Sequence, residues 1–402
     1  MSFEAALVLF GCTALIHIVN GASTEEYKRL QKSLMVNYST SVRPVLDQNR
    51  PVLVNTALYL SGIDEVDAVG QRLVTSTVLE VTWLDEFLRW DLNSTGIQTL
   101  HFKQKDIWTP DLVLKNGVKK IEQLGGDFYY LKVTSDGYVR WLPFQVFESK
   151  CDVDITYFPY DDQFCDIVIH SWSFIKQEVN VTLFENDITP VDYYSYVKNS
   201  VWDIVSTNAY ASPDSSAESE VTFSFWLRRK PLYYINNLIV PMALQGVISL
   251  MVFVIPADAG EKMSFAMTVF LSFVVFLSII GAHLPTNSEK IPILGVYIII
   301  QMTKGVVIII ISSFQVRVHH RKSERKVGMF YREIIRFERF LRCTNCSSKC
   351  SKHKGRESEN YLDRIDWNDV SSAIDFVSFW IMLIFEILVF TIIMVKIQES
   401  SV

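Results

Sequence analysis

Hydrophobic positions fall into two regimes that meet near residue 230. Before that point apolar residues come in short alternating or β-branched runs: Val52-x-Val54, Leu58-x-Leu60, 78–82, 128–133 and 221–227, with Asp-Gly, Asn-Gly and Gly-Gly between them. Period-two alternation is what a strand buried on one face requires, so residues 45–230 read as all-β. So many short strands predict a two-sheet, Ig-like sandwich over 23–230. Beyond it lie four long apolar segments, 232–256, 263–284, 291–316 and 374–395. Each reaches the roughly 20 residues that a helix needs to cross about 30 Å of hydrocarbon, and charges are nearly absent. The expected chain is therefore an all-β domain followed by a four-helix transmembrane bundle. Its first three helices fall within 231–316, a connecting loop covers 317–373, the fourth helix 374–397 and a short tail 398–402. Residues 1–22 carry an apolar run, 5–19, ahead of Asn20-Gly21-Ala22, and read as a secretory signal peptide, although Glu4 stands where Lys or Arg is usual.

Composition agrees with this division. Charged residues are 20 %, apolar residues 49 % and mean hydropathy is +0.19, against about 25 % charged in a soluble domain. Disordered, collagen-like and nucleic-acid-binding classes are excluded. The net charge of −6 hides an uneven distribution. Residues 317–356 hold 13 Lys/Arg against 3 Asp/Glu. A basic loop between the third and fourth spans belongs on the cytoplasmic side, which puts both chain ends outside the cell. The sequons at Asn37, Asn93 and Asn180 then lie where glycans are added, whereas Asn345 in the basic loop should stay bare. Ser400-Ser401-Val402 resembles a PDZ ligand, but an extracellular terminus cannot meet a cytosolic PDZ domain.

Of six cysteines, Cys12 goes with the signal peptide. Cys151 and Cys165 are the two of the extracellular part and should be oxidised there. A loop of that size contributes about 3 kcal/mol in the chain-entropy treatment. Cys343, Cys346, Cys350 and His353 have a spacing compatible with zinc, with palmitate or with free reduced thiols, and these readings stay open.

The stretch from Cys151 to Cys165, with Phe158-Pro159-Tyr160-Asp161 inside it, resembles the signature loop of pentameric Cys-loop receptors. So do Trp83-Leu84-Asp85, Leu88-x-Trp90, Trp108-x-Pro110-Asp111 and Arg229-Lys230-Pro231-Leu232. Gly260-Glu261-Lys262 and Ile291-Pro292-Ile293-Leu294-Gly295 continue the match in the membrane part, in order. The likeness covers nearly all of 23–402 and is closest to the cation-selective nicotinic and serotonin-type branch. It implies five subunits, as a homo- or heteropentamer, around a central pore for monovalent cations, at the plasma membrane.

Taking every third or fourth residue from Glu261 gives Ser264, Thr268, Leu271, Val275, Ile279 (with Ser278 beside it) and Ala282, one helical stripe. It starts with a carboxylate, passes two hydroxyls and turns apolar. Five such stripes would make a cation-concentrating ring at the cytosolic mouth and a hydrophobic constriction that closes by dewetting. The opposite face, with Phe265, Phe270, Phe273 and Phe276, reads as lipid-like. In the family Gly-Glu-Lys marks cation channels; Ala282 departs from the acidic residue common at the outer end. Lys304 in the third span and Glu386 in the fourth fall near mid-depth, about 20 and 18 Å along helices rising ~1.5 Å per residue. They either pair or are accommodated separately.

The resemblance places a ligand site between subunits, in an aromatic box that holds a cationic nitrogen by cation–π attraction. Trp172 and Tyr210 match box positions. Lys115, Glu218 and Val78 stand where the other three aromatics belong, and Ser212-Pro213 replaces the paired cysteines of the capping loop. Arg140 and Leu142 would face in from the complementary side. Such a site suits a simple quaternary amine poorly. It fits a zwitterionic or anionic-headed amphiphile, an untested amine, or a Lys115–Glu218 pair with the aromatics kept for packing.

By the same resemblance the sandwich meets the pore helices through Asp64 to Asp67, Phe158, Pro159, Asp161, Arg229 and the 285–292 linker with Pro292. Ala68 sits at a family acidic position, so Asp67 or Asp161 must partner Arg229. Phe330, Tyr331, Ile334, Ile335, Phe337, Phe340 and Leu341 interleaved with Arg332, Arg336, Arg339 and Arg342 predict an amphipathic helix on inner-leaflet lipids, and 362–375 a helix leading into the fourth span. No nucleophile–base constellation, phosphate loop or catalytic metal spacing appears, so no enzyme activity, cofactor or nucleic-acid partner is expected. A subunit that conducts only in heteromers, or a tetraspan adhesion or scaffold protein, are the competing readings.

Overall fold

The computed structural model describes residues 23–184, 191–257, 260–283, 290–321, 327–342 and 366–399. The signal-like segment with Cys12, the Cys343/Cys346/Cys350/His353 group, Asn345 and the end beyond Glu399 lie outside these residues.

Alternating apolar positions build two sheets. The strands of the larger are β1 (Val52–Asp67), β2 (Arg72–Leu84), β3 (Thr99–Lys103), β5 (Tyr130–Thr134), β6 (Tyr138–Trp141), β7 (Phe144–Lys150), β9 (Val179–Leu183) and β10 (Val191–Val197). They run in the order β10-β1-β2-β6-β5-β3, with β7 also on β2 and β9 also on β1. The smaller sheet has β4 (Leu112–Leu114), β8 (Asp162–Ser171), β11 (Trp202–Ala211) and β12 (Glu220–Arg229), in the order β11-β12-β8-β4. Trp83, Phe102 and Trp141 from one sheet side and Phe223 and Phe225 from the other are fully buried. A disulfide joins Cys151 to Cys165 and ties the loop after β7 to β8.

A helix not expected from the hydrophobic pattern, Thr24–Leu34, precedes the sandwich. Its start is a capping box: Ser23 accepts from the Glu26 amide, and the Glu26 carboxylate accepts from the Ser23 amide.

Four apolar helices long enough to cross a membrane follow: Leu232–Phe253, Lys262–Ala282, Ile293–His319 and Trp367–Lys396. Pro241 has no N–H to donate, and the first helix accommodates this with a π turn at Ile235–Ile239. Pro292 caps the third helix. The fourth begins at Trp367, where Asp366 accepts from the Trp367 amide, so the expected pre-helix and span are one continuous element. The amphipathic helix is Met329–Leu341; Ile335 is buried while Phe330 and Phe340 are exposed.

The aromatic face of the second helix differs from its lipid-like reading. Phe273 is buried, Phe270 lies against Gly305 of the third helix, and Phe265 and Phe276 pack on neighbouring cores. These rings pack, wholly or in part, against neighbouring helices.

Candidate functional site

Glu261, immediately before the second membrane helix, and Ser264, Thr268, Leu271, Val275, Ile279 and Ala282 along it are all exposed, Leu271 at 61 % and Val275 at 53 %. Lys262, Ala266, Val269, Phe273 and Ile280 are buried against the rest of the chain. The helix therefore turns one continuous, unpartnered stripe outward. Lys262, next to Glu261, points the other way: its ammonium meets Asp375 of the fourth helix at 2.5 Å, and Gln315 donates to the same carboxylate at 2.7 Å. Lys304 and Glu386 are brought together at 2.5 Å.

The predicted ligand residues lie at the outer end of the small sheet and on one face of the large one. Trp172 follows β8 and donates its amide to Asp111, while its ring meets His170 edge-on at 5.6 Å. Trp172 and Tyr210 are both more than half exposed. Lys115, just past β4, donates to Glu218 and, at 2.6 Å, to Glu220. Its hydrogen bonds to these carboxylates raise the Lys115 pKa, and the bond from Lys115 lowers that of Glu218. Burial, then repulsion from Lys115, pushes the His170 pKa below its ordinary value. The Glu220 and His170 contributions escaped the sequence reading; their only signal was the period-two neighbourhood of Glu218 and Trp172.

On the large sheet Val78, Arg140 and Leu142 share the outward face, and Phe144 stands opposite Val78. Arg140 is exposed and paired within the same sheet. Glu80, itself buried, accepts from it at 2.5 Å and from Tyr59 at 2.9 Å.

At the base of the sandwich the partner of Arg229 is Asp161. Two hydrogen bonds of 2.7 and 3.0 Å join them, both side chains are buried, and Gln163 donates to the same carboxylate. The guanidinium also lies 4.2 Å from the Trp202 ring centre and 5.1 Å from that of Phe158. Asp67 is elsewhere, bonded to Arg72 at 3.1 Å. Phe158, beside Pro159, meets Tyr234 of the first membrane helix edge-on. The Ile293 amide, one residue past Pro292, donates to Thr156, and Lys290 reaches Asp152 and Asp154. The loop between the disulfide cysteines thus touches the first membrane helix through a ring contact and is hydrogen-bonded to the start of the third.

Of the sequons, Asn37 and Asn93 are exposed. Asn180 is half-buried in β9 with its amide oxygen covered. No cluster of metal-binding side chains occurs among the described residues.

Two family models match the chain. One, for the neurotransmitter-gated ion-channel ligand binding domain, covers residues 27–231; the other, for the neurotransmitter-gated ion-channel transmembrane region, covers 238–360. Similar proteins include the neuronal acetylcholine receptor subunit alpha-6 of Mus musculus, 32 % identical over 80 % of this chain and 65 % of its own length. The human alpha-6 subunit is 32 % identical over 75 % of this chain and 61 % of its own. The human alpha-2 subunit is 34 % identical over 75 % and 57 %. The chain thus spans less than two thirds of these relatives' length.

Proposed function

The chain belongs to the neurotransmitter-gated ion-channel family, and on that premise we propose that it is a subunit of a pentameric, cation-selective channel of the plasma membrane. A small extracellular molecule bound between subunits opens it. The sandwich lies outside the cell, and the basic segment 317–356 lies inside.

The observation that carries this reading is the exposed stripe from Glu261 to Ala282. A row that opens with a carboxylate and two hydroxyls is costly against lipid, and five copies around an axis turn it toward water instead. Glu261 then forms a carboxylate ring that concentrates cations, while Leu271 and Val275 form a ring dry enough to stop ions. The neighbouring Lys262 is neutralised by Asp375 and leaves the ring its charge. Binding is transmitted downward through the Arg229–Asp161 pair and the bonds from Thr156, Asp152 and Asp154 to the start of the third membrane helix.

The relatives are named for acetylcholine. For this chain we propose a different agonist. A quaternary amine needs aromatic faces and an unpaired field, whereas Trp172 and Tyr210 stand beside an ammonium, Lys115, already engaged by Glu218 and Glu220. The site better fits a zwitterionic amphiphile, its cationic group toward the two carboxylates around Lys115 and its apolar part against Val78 and Leu142. The same Lys115 cluster favours a second reading, in which this face takes no ligand and the chain conducts only beside a different subunit.

Currents from oocytes decide between the two. Amines, zwitterions and amphiphiles are applied to cells expressing the chain alone, then with a nicotinic-type partner subunit. Current from the chain alone supports the first reading, and current only with the partner supports the second. Strong activation of the lone chain by acetylcholine, lost in Trp172→Ala, refutes the assignment of the agonist.

A further inference from the structure

Half-way along the membrane helices a polar layer crosses the bundle. Lys304 of the third helix and Glu386 of the fourth form an ion pair of 2.5 Å, with residue exposures of only 3 % and 6 %. Gln301, one turn before Lys304, donates to both Glu386 oxygens at 2.9 and 3.0 Å, and the Tyr297 hydroxyl donates at 3.3 Å. Tyr297, Gln301 and Lys304 follow one another at four- and three-residue steps, so they form one face of the third helix. Lys304 also donates to the Gly246 carbonyl of the first helix at 3.3 Å. Three helices meet at one carboxylate.

Two glycines fit the layer to its neighbours. A Cβ on Gly246 would lie 2.2 Å from a Glu386 oxygen, so only glycine admits the carboxylate there. A Cβ on Gly305, next to Lys304, would lie 3.2 Å from the Phe270 ring. Gln245, next to Gly246, donates to the Val269 carbonyl at 3.4 Å. Both onward contacts land on the second helix, at the two residues immediately before Leu271.

We propose that this layer is a positioning device for the pore. It fixes the fourth helix against the first and third and, through Gln245 and Gly305, holds the second helix in register at its Leu271 constriction. Removing one member of a buried pair strands the other's charge, whereas removing both leaves a neutral site. Single neutralisations should therefore disturb the second helix more than the double one does. This inference rests on the reading of the second helix as the pore, and its test uses no current, so the two can fail separately.

The test is hydrogen–deuterium exchange on the purified full chain in lipid nanodiscs, comparing wild type with Lys304→Met, Glu386→Gln and the double variant. The layer predicts several-fold faster exchange in second-helix peptides around 264–275 in each single variant, and a double variant closer to wild type than either. Should a single variant fail to fold, Gly246→Ala puts the same strain on the layer and should also speed exchange at 264–275. Faster exchange confined to the fourth helix, or a double variant whose effect is the sum of the singles, overturns the proposal. A chain that carries no current in any cell would overturn the channel reading and leave the exchange result to judge the layer.

Discussion

Arg229 could contribute little or much, and its partner decides which. An exposed ion pair is worth about 0–1 kcal/mol. The pair with Asp161 is buried, twice hydrogen-bonded and flanked by rings, and breaking such a pair by removing one partner costs about 3–5 kcal/mol. Arg229→Gln and Asp161→Asn should each lower the thermal stability of the purified protein by an amount in that range and abolish opening in whatever channel still reaches the surface. A loss below about 1 kcal/mol with normal opening would return the pair to surface decoration. Asp85 supplies a pH test. It is fully buried, accepts from Tyr38 at 2.6 Å and from the Phe87 amide, and burial nevertheless pushes its pKa up to about 6. Its folded pKa lies above the unfolded value of about 3.9, so the native state holds this proton more tightly. Its contribution to stability therefore rises as pH falls from about 6 to about 4, by roughly 1.4 kcal/mol for each pH unit crossed between those two values. In Asp85→Asn the melting temperature should lose that part of its slope between about pH 7 and about pH 4; an unchanged slope contradicts the assignment.

At the scale of elements, β9 separates the three sequons. Asn37 and Asn93 are open to an attached sugar, whereas Asn180 sits in a strand paired with β1 and keeps its amide oxygen covered. Asn37→Gln and Asn93→Gln should each shift the secreted-pathway protein on a gel, and Asn180→Gln should not. A shift with Asn180→Gln would show that β9 is open while the glycan is added. The same contrast marks what the sequence made legible. Strand alternation and apolar run length announced the sandwich and the four helices, because both are local properties. The stripe from Glu261 was legible for the same reason. Partner choice was not: Asp161 rather than Asp67 for Arg229, Glu220 as a second partner of Lys115, and Glu80 holding Arg140 all depend on strand register. The aromatic face of the second helix was misread because polarity alone cannot distinguish lipid from a neighbouring helix. One missed element was readable, since Ser23-Thr24-Glu25-Glu26 spells the capping box of the first helix.

Over the whole molecule, charge is sorted by depth. The segment 317–356 is strongly basic, the remainder is acidic, and two ion pairs lie buried between membrane helices: Lys262 with Asp375 and Lys304 with Glu386. Glu261 differs, because it is exposed at the head of the outward stripe. That asymmetry is what gives the pore its sign, so the reversal potential under ion substitution is the most direct measurement. With external sodium replaced by a large impermeant cation, the reversal potential should move strongly negative, and replacing chloride by gluconate should leave it in place. Glu261→Ala should reduce the sodium dependence. A reversal potential that follows chloride, or one indifferent to Glu261→Ala, would contradict the assignment of this stripe as a cation pathway.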